Sequence, residues 1–196
     1  MPQKTTMIKQ KLLILLFATA ISFSVFAQPT HAITDPEKKF KDAKELFVKE
    51  QFALAYPLFA ELKGQYPDNT TSDHTYINDD VNYYYIVCEL KLQQPIAVQE
   101  ARHYISVVSN EPRRQLLSYH LAKYYFVKED FSNAINYYER AGLENLSNDE
   151  IADAKFEKAY CYFNLKQFAE AKPLFDEIHQ MTDNKYYIPA NCLRLK

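Results

Sequence analysis

The chain has 196 residues, 47% hydrophobic and 24% charged, with a formal net charge of −2, a composition that leaves room for one domain with a real core. With only Gly64 and Gly142 as glycines, it lacks a glycine-rich phosphate loop and a dinucleotide fingerprint, both of which need glycine for close backbone approach. The acidic balance argues against nucleic acid, whose phosphates call for a basic face.

The chain opens like a secretory signal. Lys4, Lys9 and Lys11 form a basic front, Leu12 to Phe26 an apolar stretch, and Val25-Phe26-Ala27 a cleavage site before Gln28. Thr30-His31-Ala32 offers a second cut. The alternative, a membrane anchor, is short, because a bilayer needs roughly 20 apolar residues. No cysteine stands near the end of the apolar stretch, which argues against bacterial lipid attachment. Cleavage after residue 27 removes three lysines and no acid, taking the formal charge from −2 to −5. Residues 28–35 then form a linker.

Beyond it, a phrase recurs. Ala43, Phe47, Phe52, Ala55 and Phe59 are matched by Ala122, Phe126, Phe131, Ala134 and Tyr138, and by Ala159, Phe163, Phe168, Ala171 and Phe175, with identical internal spacing. Each copy reads as two helices, since Tyr119, Ala122, Tyr125 and Phe126 share one helical face and Phe131, Ala134, Tyr138 and Ala141 another. Thr34-Asp35-Pro36-Glu37 and Ser147-Asn148-Asp149-Glu150 are capping boxes, and Asp130 is placed to cap a second helix. Pro57 and Pro173 fit if their helices start about three residues earlier, where a missing amide costs nothing.

A divergent unit lies between the first two copies. It carries Val81, Tyr84, Tyr85, Cys88 and Leu92 on one helix and Ala101, Ile105 and Val108 on the next, which Pro95 opens. Asp68 to Asp80 reads as a polar surface loop, without the ligand pattern of a calcium loop. Tyr186, Tyr187, Ala190 and Leu193 start a further first helix that has no partner before the chain stops. The repeats therefore run at about 36–69, 77–111, 112–146 and 148–183, with a partial unit at 185–195. Cys88, Cys161 and Cys192 fall on helical segments and read as free buried thiols rather than a disulfide framework.

A period of this kind marks a stacked repeat. The chain resembles tetratricopeptide repeat proteins over residues 36–195. Ala55, Phe59 and Pro67 match the family's second-helix signature, and Ala134 with Tyr138 and Ala171 with Phe175 match it without the proline. Tyr125 and Tyr162 keep its first-helix tyrosine, while Glu50, Glu129 and Lys166 replace the turn glycine. With the leader, the chain is similar to periplasmic members from Gram-negative bacteria. Its first repeat, with Phe59-Ala60-Glu61-Leu62 and Tyr66-Pro67-Asp68-Asn69, is also similar to the lipoprotein of the outer-membrane barrel-assembly machinery.

The fold this implies is all-α: a right-handed α-solenoid of about four helical hairpins plus one unpaired C-terminal helix. Family ligands lie in a groove lined by first helices. Carried over, the groove falls on Lys44, Val48, His120, Lys123, Val127, Glu157, Tyr160 and Asn164. The family's clamp for C-terminal carboxylates would need Lys and Asn where Phe40, Tyr119 and Phe156 stand, so an apolar peptide suits this groove better, with Lys44 and Lys123 orienting an acidic group.

Catalysis finds little support in the sequence. His31, His74, His103, His120 and His179 are scattered, no cysteine has ligand spacing, and Ser118 lacks a nucleophile elbow. The expectation is a non-catalytic scaffold of the cell envelope, periplasmic or secreted, without cofactor or metal, binding a protein or peptide and neither nucleic acid nor, after cleavage of the leader, a bilayer span. An assembly component docked on outer-membrane machinery, or a shortened form of a longer array, are the alternatives. Most aromatics are assigned to packing. Ala for Phe131 or Phe168 is expected to cost about 3 to 5 kcal/mol, and truncation of Tyr160 or Lys123 to weaken capture without lowering the melting temperature.

Overall fold

The computed structural model describes residues 36–65, 75–181 and 184–194. The chain divides into two units, Met1–Asp35 and Pro36–Lys196. The leader, the linker and the Thr34-Asp35 half of the first capping box fall in the first unit, outside the described residues, as do Tyr66 to His74 of the second.

Among the described residues all regular structure is helical: α1 (Pro36–Val48), α2 (Phe52–Gln65), α3 (Thr75–Lys91), α4 (Ala97–Val107), α5 (Glu111–Val127), α6 (Phe131–Ala141), α7 (Asn148–Asn164), α8 (Phe168–Gln180) and α9 (Tyr187–Arg194). Each helix packs on its successor. The odd-numbered helices also meet one another, α1 against α3, α3 against α5 and α5 against α7.

One turn joins every hairpin. Glu50, Gln93, Glu129 and Lys166 adopt φ of 57°, 54°, 59° and 61°. The amide of each reaches back to a carbonyl three residues earlier, at Phe47, Leu90, Phe126 and Phe163, and the next amide reaches five back, to Leu46, Glu89, Tyr125 and Tyr162. This is the Schellman end of a helix, built four times without glycine. Gln93, in the divergent unit, belongs to the same set.

The turns follow one another at 43, 36 and 37 residues, whereas the second-helix alanines 55, 101, 134 and 171 step by 46, 33 and 37. Two of the three residues of difference sit at Pro95-Ile96. α2, α6 and α8 begin two residues after their turn residue, but α4 begins four after, at Ala97. Pro95 therefore precedes the helix that it was expected to open.

Capping expectations hold where they can be seen. The Asp130 carboxylate accepts from the Asn133 amide at 3.2 Å, and Ser147 and Glu150 form a reciprocal capping box. Asn110 adds a cap through the Arg113 amide. The prolines differ from expectation. α2 and α8 start five residues before Pro57 and Pro173, so each proline leaves a carbonyl one turn back, at Ala53 or Ala169, without its helical donor. In a helix interior this costs about 3 kcal/mol. Asp80, expected in a loop, lies within α3.

Gly142 ends α6 with φ 62° and ψ 166°, a region open essentially to glycine alone. A Cβ there would stand 2.6 Å from a Glu144 carboxylate oxygen.

The repeated phrase has a repeated meaning in the fold. Ala43, Ala122 and Ala159 and the second-helix Ala55, Ala134 and Ala171 are buried, as are Phe59, Tyr138 and Phe175. The two middle aromatics meet across the turn: Phe47 and Phe52 at 5.4 Å and 79°, Phe163 and Phe168 at 5.4 Å and 72°. Small residues thus let helices approach, and large ones fill what remains. Phe168 is nevertheless 54% exposed, so it is not the core residue expected. Cys88 and Cys161 are free and buried, while Cys192 is free and exposed.

Candidate functional site

α1, α5 and α7 carry all the side chains expected to line a groove, and the structure treats these residues unequally. Lys44 is exposed, with its ammonium 5.7 Å from the Tyr84 ring centroid. Val48 and Val127 are open to solvent at 72% and 65%. Asn164 is exposed and donates to the Tyr160 carbonyl of its own helix at 2.8 Å.

Lys123 and Glu157 are committed elsewhere. The Lys123 ammonium donates to Asp153 at 2.8 Å and Glu157 at 3.0 Å, joining α5 to α7. Glu157 is only 7% exposed and also accepts from the Tyr138 hydroxyl of α6. Asp153 pairs further with Lys185 at 2.8 Å, just before α9. Burial opposes the charge on Lys123, but Glu157 and Asp153 hold its pKa above the ordinary lysine value. Burial likewise opposes charge on Asp153, and its bonds to Lys123 and Lys185 outweigh this and lower its pKa. The cation expected to orient a ligand is thus already neutralised by its own chain.

Tyr160 is part of the packing. Its ring lies 5.8 Å from Phe126, 6.3 Å from Phe131 and 6.2 Å from Phe156. A Tyr160 or Lys123 truncation therefore removes an interhelix contact along with any groove contact.

His120 accompanies Val127 and Lys123 in a cleft of about 130 Å³ between α3 and α5, closed on the α3 side by Leu90 and Lys91. Its Nε2 lies 3.2 Å from the Tyr83 hydroxyl. Its Nδ1 is sealed from solvent and has no partner among the described residues. Burial, with Lys91 and Lys123 nearby, pushes its pKa down to about 3, so the ring is neutral at any ordinary pH.

Asp153 and Lys185 were not anticipated from the sequence. Asp153 is one helical turn before Glu157, so placing carboxylates a repeat beyond Lys123 would have found both. Glu89 was also missed. It is fully buried on α3 and accepts from the Tyr56 hydroxyl at 3.3 Å. Burial, with Glu100 nearby, raises its carboxyl above the usual range despite Tyr85, Tyr56 and Lys63.

Among the described residues no group of three or more His, Cys, Asp or Glu is arranged to hold a metal ion. Nor is any described helix long and apolar enough to cross a membrane. Burial pushes the thiols of Cys88 and Cys161 up to about 12, away from nucleophilic use. The exposed side chains of α1 and α5 include Lys44, Val48 and Val127, the last at the mouth of the α3–α5 cleft. No protein-family model and no curated protein matches the chain.

Proposed function

We propose that the chain is a non-catalytic interaction scaffold of the cell envelope, periplasmic or secreted through its leader. It is read as a right-handed α-solenoid of tetratricopeptide type, taking a protein or peptide segment along the face formed by α1, α3, α5 and α7. The observation that carries this reading is the file of odd-numbered helices, each packed on the next, behind four copies of one turn. Such a file leaves a continuous strip of first-helix surface, and Val48, the α3–α5 cleft and Val127 make that strip apolar.

Affinity then comes from aliphatic contact, with Lys44 and the cleft's Lys91 and Lys128 as exposed positive charges beside it. Lys123, Glu157 and Tyr160 serve by fixing the spacing of α5 and α7. The test is affinity capture from envelope extract by the full chain, by Val127→Asp, and by Val107→Asp on α4. Val107 is as open to solvent as Val127, at 63%, but lies on an even-numbered helix. A partner retained by the parent and by Val107→Asp and lost by Val127→Asp supports the reading; loss through Val107→Asp alone moves the site off this face.

A further inference from the structure

The chain spends its arginines in one place. It has 18 lysines and 5 arginines, yet Arg102, Arg114 and Arg140 all line one cleft of about 400 Å³ between α4, α5 and α6. Glu111 is the one acidic residue of its lining. The charged lining is therefore net positive by two in a chain whose formal charge is −2.

Two of these arginines are held in place by aromatic rings. Tyr125 and Tyr137 stack at 5.6 Å and 14°. Arg102 donates to the Tyr125 hydroxyl at 2.7 Å with its guanidinium 5.8 Å from that ring, and Arg140 lies 5.3 Å from the Tyr137 ring. Both side chains remain exposed. Contact with a ring restrains a guanidinium while leaving donors free, so less entropy is lost when a ligand arrives. Arg114 pairs with Glu111 one turn earlier on α5. Ser118 and Ser106 spend their hydroxyl protons on the Arg114 and His103 carbonyls, so the arginines are the cleft's principal donors.

We propose that this cleft binds a phosphate monoester group. Arginine forks match carboxylate and phosphate alike, but these three line one cleft from three successive helices. A carboxylate presents its acceptors in one plane. The three terminal oxygens of a phosphoryl group fan outward, and its charge near −2 at neutral pH matches the surplus of the cleft. The site lies on α4, α6 and the first half of α5, away from Val48 and Val127, and does not depend on the reading of the odd-helix face.

Isothermal titration calorimetry on the full chain at constant ionic strength tests this, using inorganic phosphate, glycerol 3-phosphate and glutarate, with chloride as the reference. Saturable binding of either phosphate, stronger than glutarate, is expected. A preference for glycerol 3-phosphate would show that the cleft holds the ester's organic part, and equal affinity that it reads the phosphoryl group alone. Arg102→Lys and Arg140→Lys keep the charge and lose the fork, and each is expected to weaken binding about tenfold, while Arg113→Lys, outside the lining, leaves it unchanged. Glutarate binding as tightly as phosphate, lysine variants binding like the parent, or no heat beyond the chloride reference would each overturn the proposal.

Discussion

The middle and the C-terminal end of the array are held together by different means. Most buried side chains from Ala43 to Cys161 form one apolar cluster, whereas Ala159 of α7 joins Ala171, Phe175 and Ile178 of α8 and Ala190 of α9 in a second, smaller one. The end is supplemented by polar and aromatic contacts: Asp153 with Lys185, and Phe156 stacked on Tyr186 at 4.2 Å and 11°. Phe168 shows why. Its counterpart Phe52 lies under the ammonium of Lys91 from the next unit, at 5.5 Å, and Phe131 meets Tyr160 of the next unit. Phe168 meets Phe163 of its own hairpin. Where a further helical hairpin follows, it supplies a contact to this position, which is half-buried in the first two copies and open in the last.

The comparison is broken most severely by truncating the last aromatic of the phrase. Phe59→Ala and Phe175→Ala each cost about 3 to 5 kcal/mol, but in different ways. Phe59→Ala lowers the main thermal transition followed by circular dichroism, while Phe175→Ala releases α8 and α9 in a separate, earlier step. A single transition in both variants would show that the two clusters are one cooperative unit.

Lys123→Met comes next. It removes a cation from Glu157, which has little solvent, and leaves Asp153 with Lys185 and Tyr186, at a cost of about 2 kcal/mol after allowing for partial exposure, read as a drop in melting temperature. A matched fall in partner capture would mark Lys123 as a packing residue, contrary to the sequence expectation of a free groove cation.

Acidification acts on the centre through His120. Its pKa in the folded chain lies below the unfolded value, so the unfolded chain takes up the proton first, and stability falls as pH drops from about 6.5 toward 3. The slope from this residue is at most about 1.4 kcal/mol per pH unit. Asp153, also lowered, adds to the loss only below the ordinary carboxylate range. His120→Gln is expected to flatten the upper part of a denaturant midpoint profile between pH 7 and 5, and an unchanged profile would assign the slope elsewhere. The smallest effect belongs to Phe168→Ala, about 1 kcal/mol for a half-open ring instead of the core value that the repeat suggested.

What could be read from the sequence was periodicity. The small and large positions of the three copies, Asp130 as a cap and the Ser147 box all follow from local spacing and local hydrogen bonds. Spacing does not reveal which neighbour covers a side chain, and this is where Phe168, Cys192, Lys123 and Glu157 departed from expectation. The divergent unit hid its turn, because it lacks the repeated phrase and Pro95-Ile96 shifts α4 against it. Pro57 and Pro173 were placed about two residues too near their helix starts because a tolerated proline suggests a helix start, and tertiary burial of Ala55, Phe59, Ala171 and Phe175 outweighs that local preference.

In the proposed function α1, α3, α5 and α7 present one continuous binding face. Site-specific photo-crosslinking tests it most directly, with a photoreactive residue placed in turn at Val48, Val127 and Val107 of the full chain in the cell envelope. The same partner captured at positions 48 and 127 and not at 107 is the expected result. Capture at 107 with none at 48 or 127, or unrelated species at 48 and 127, would contradict a single face.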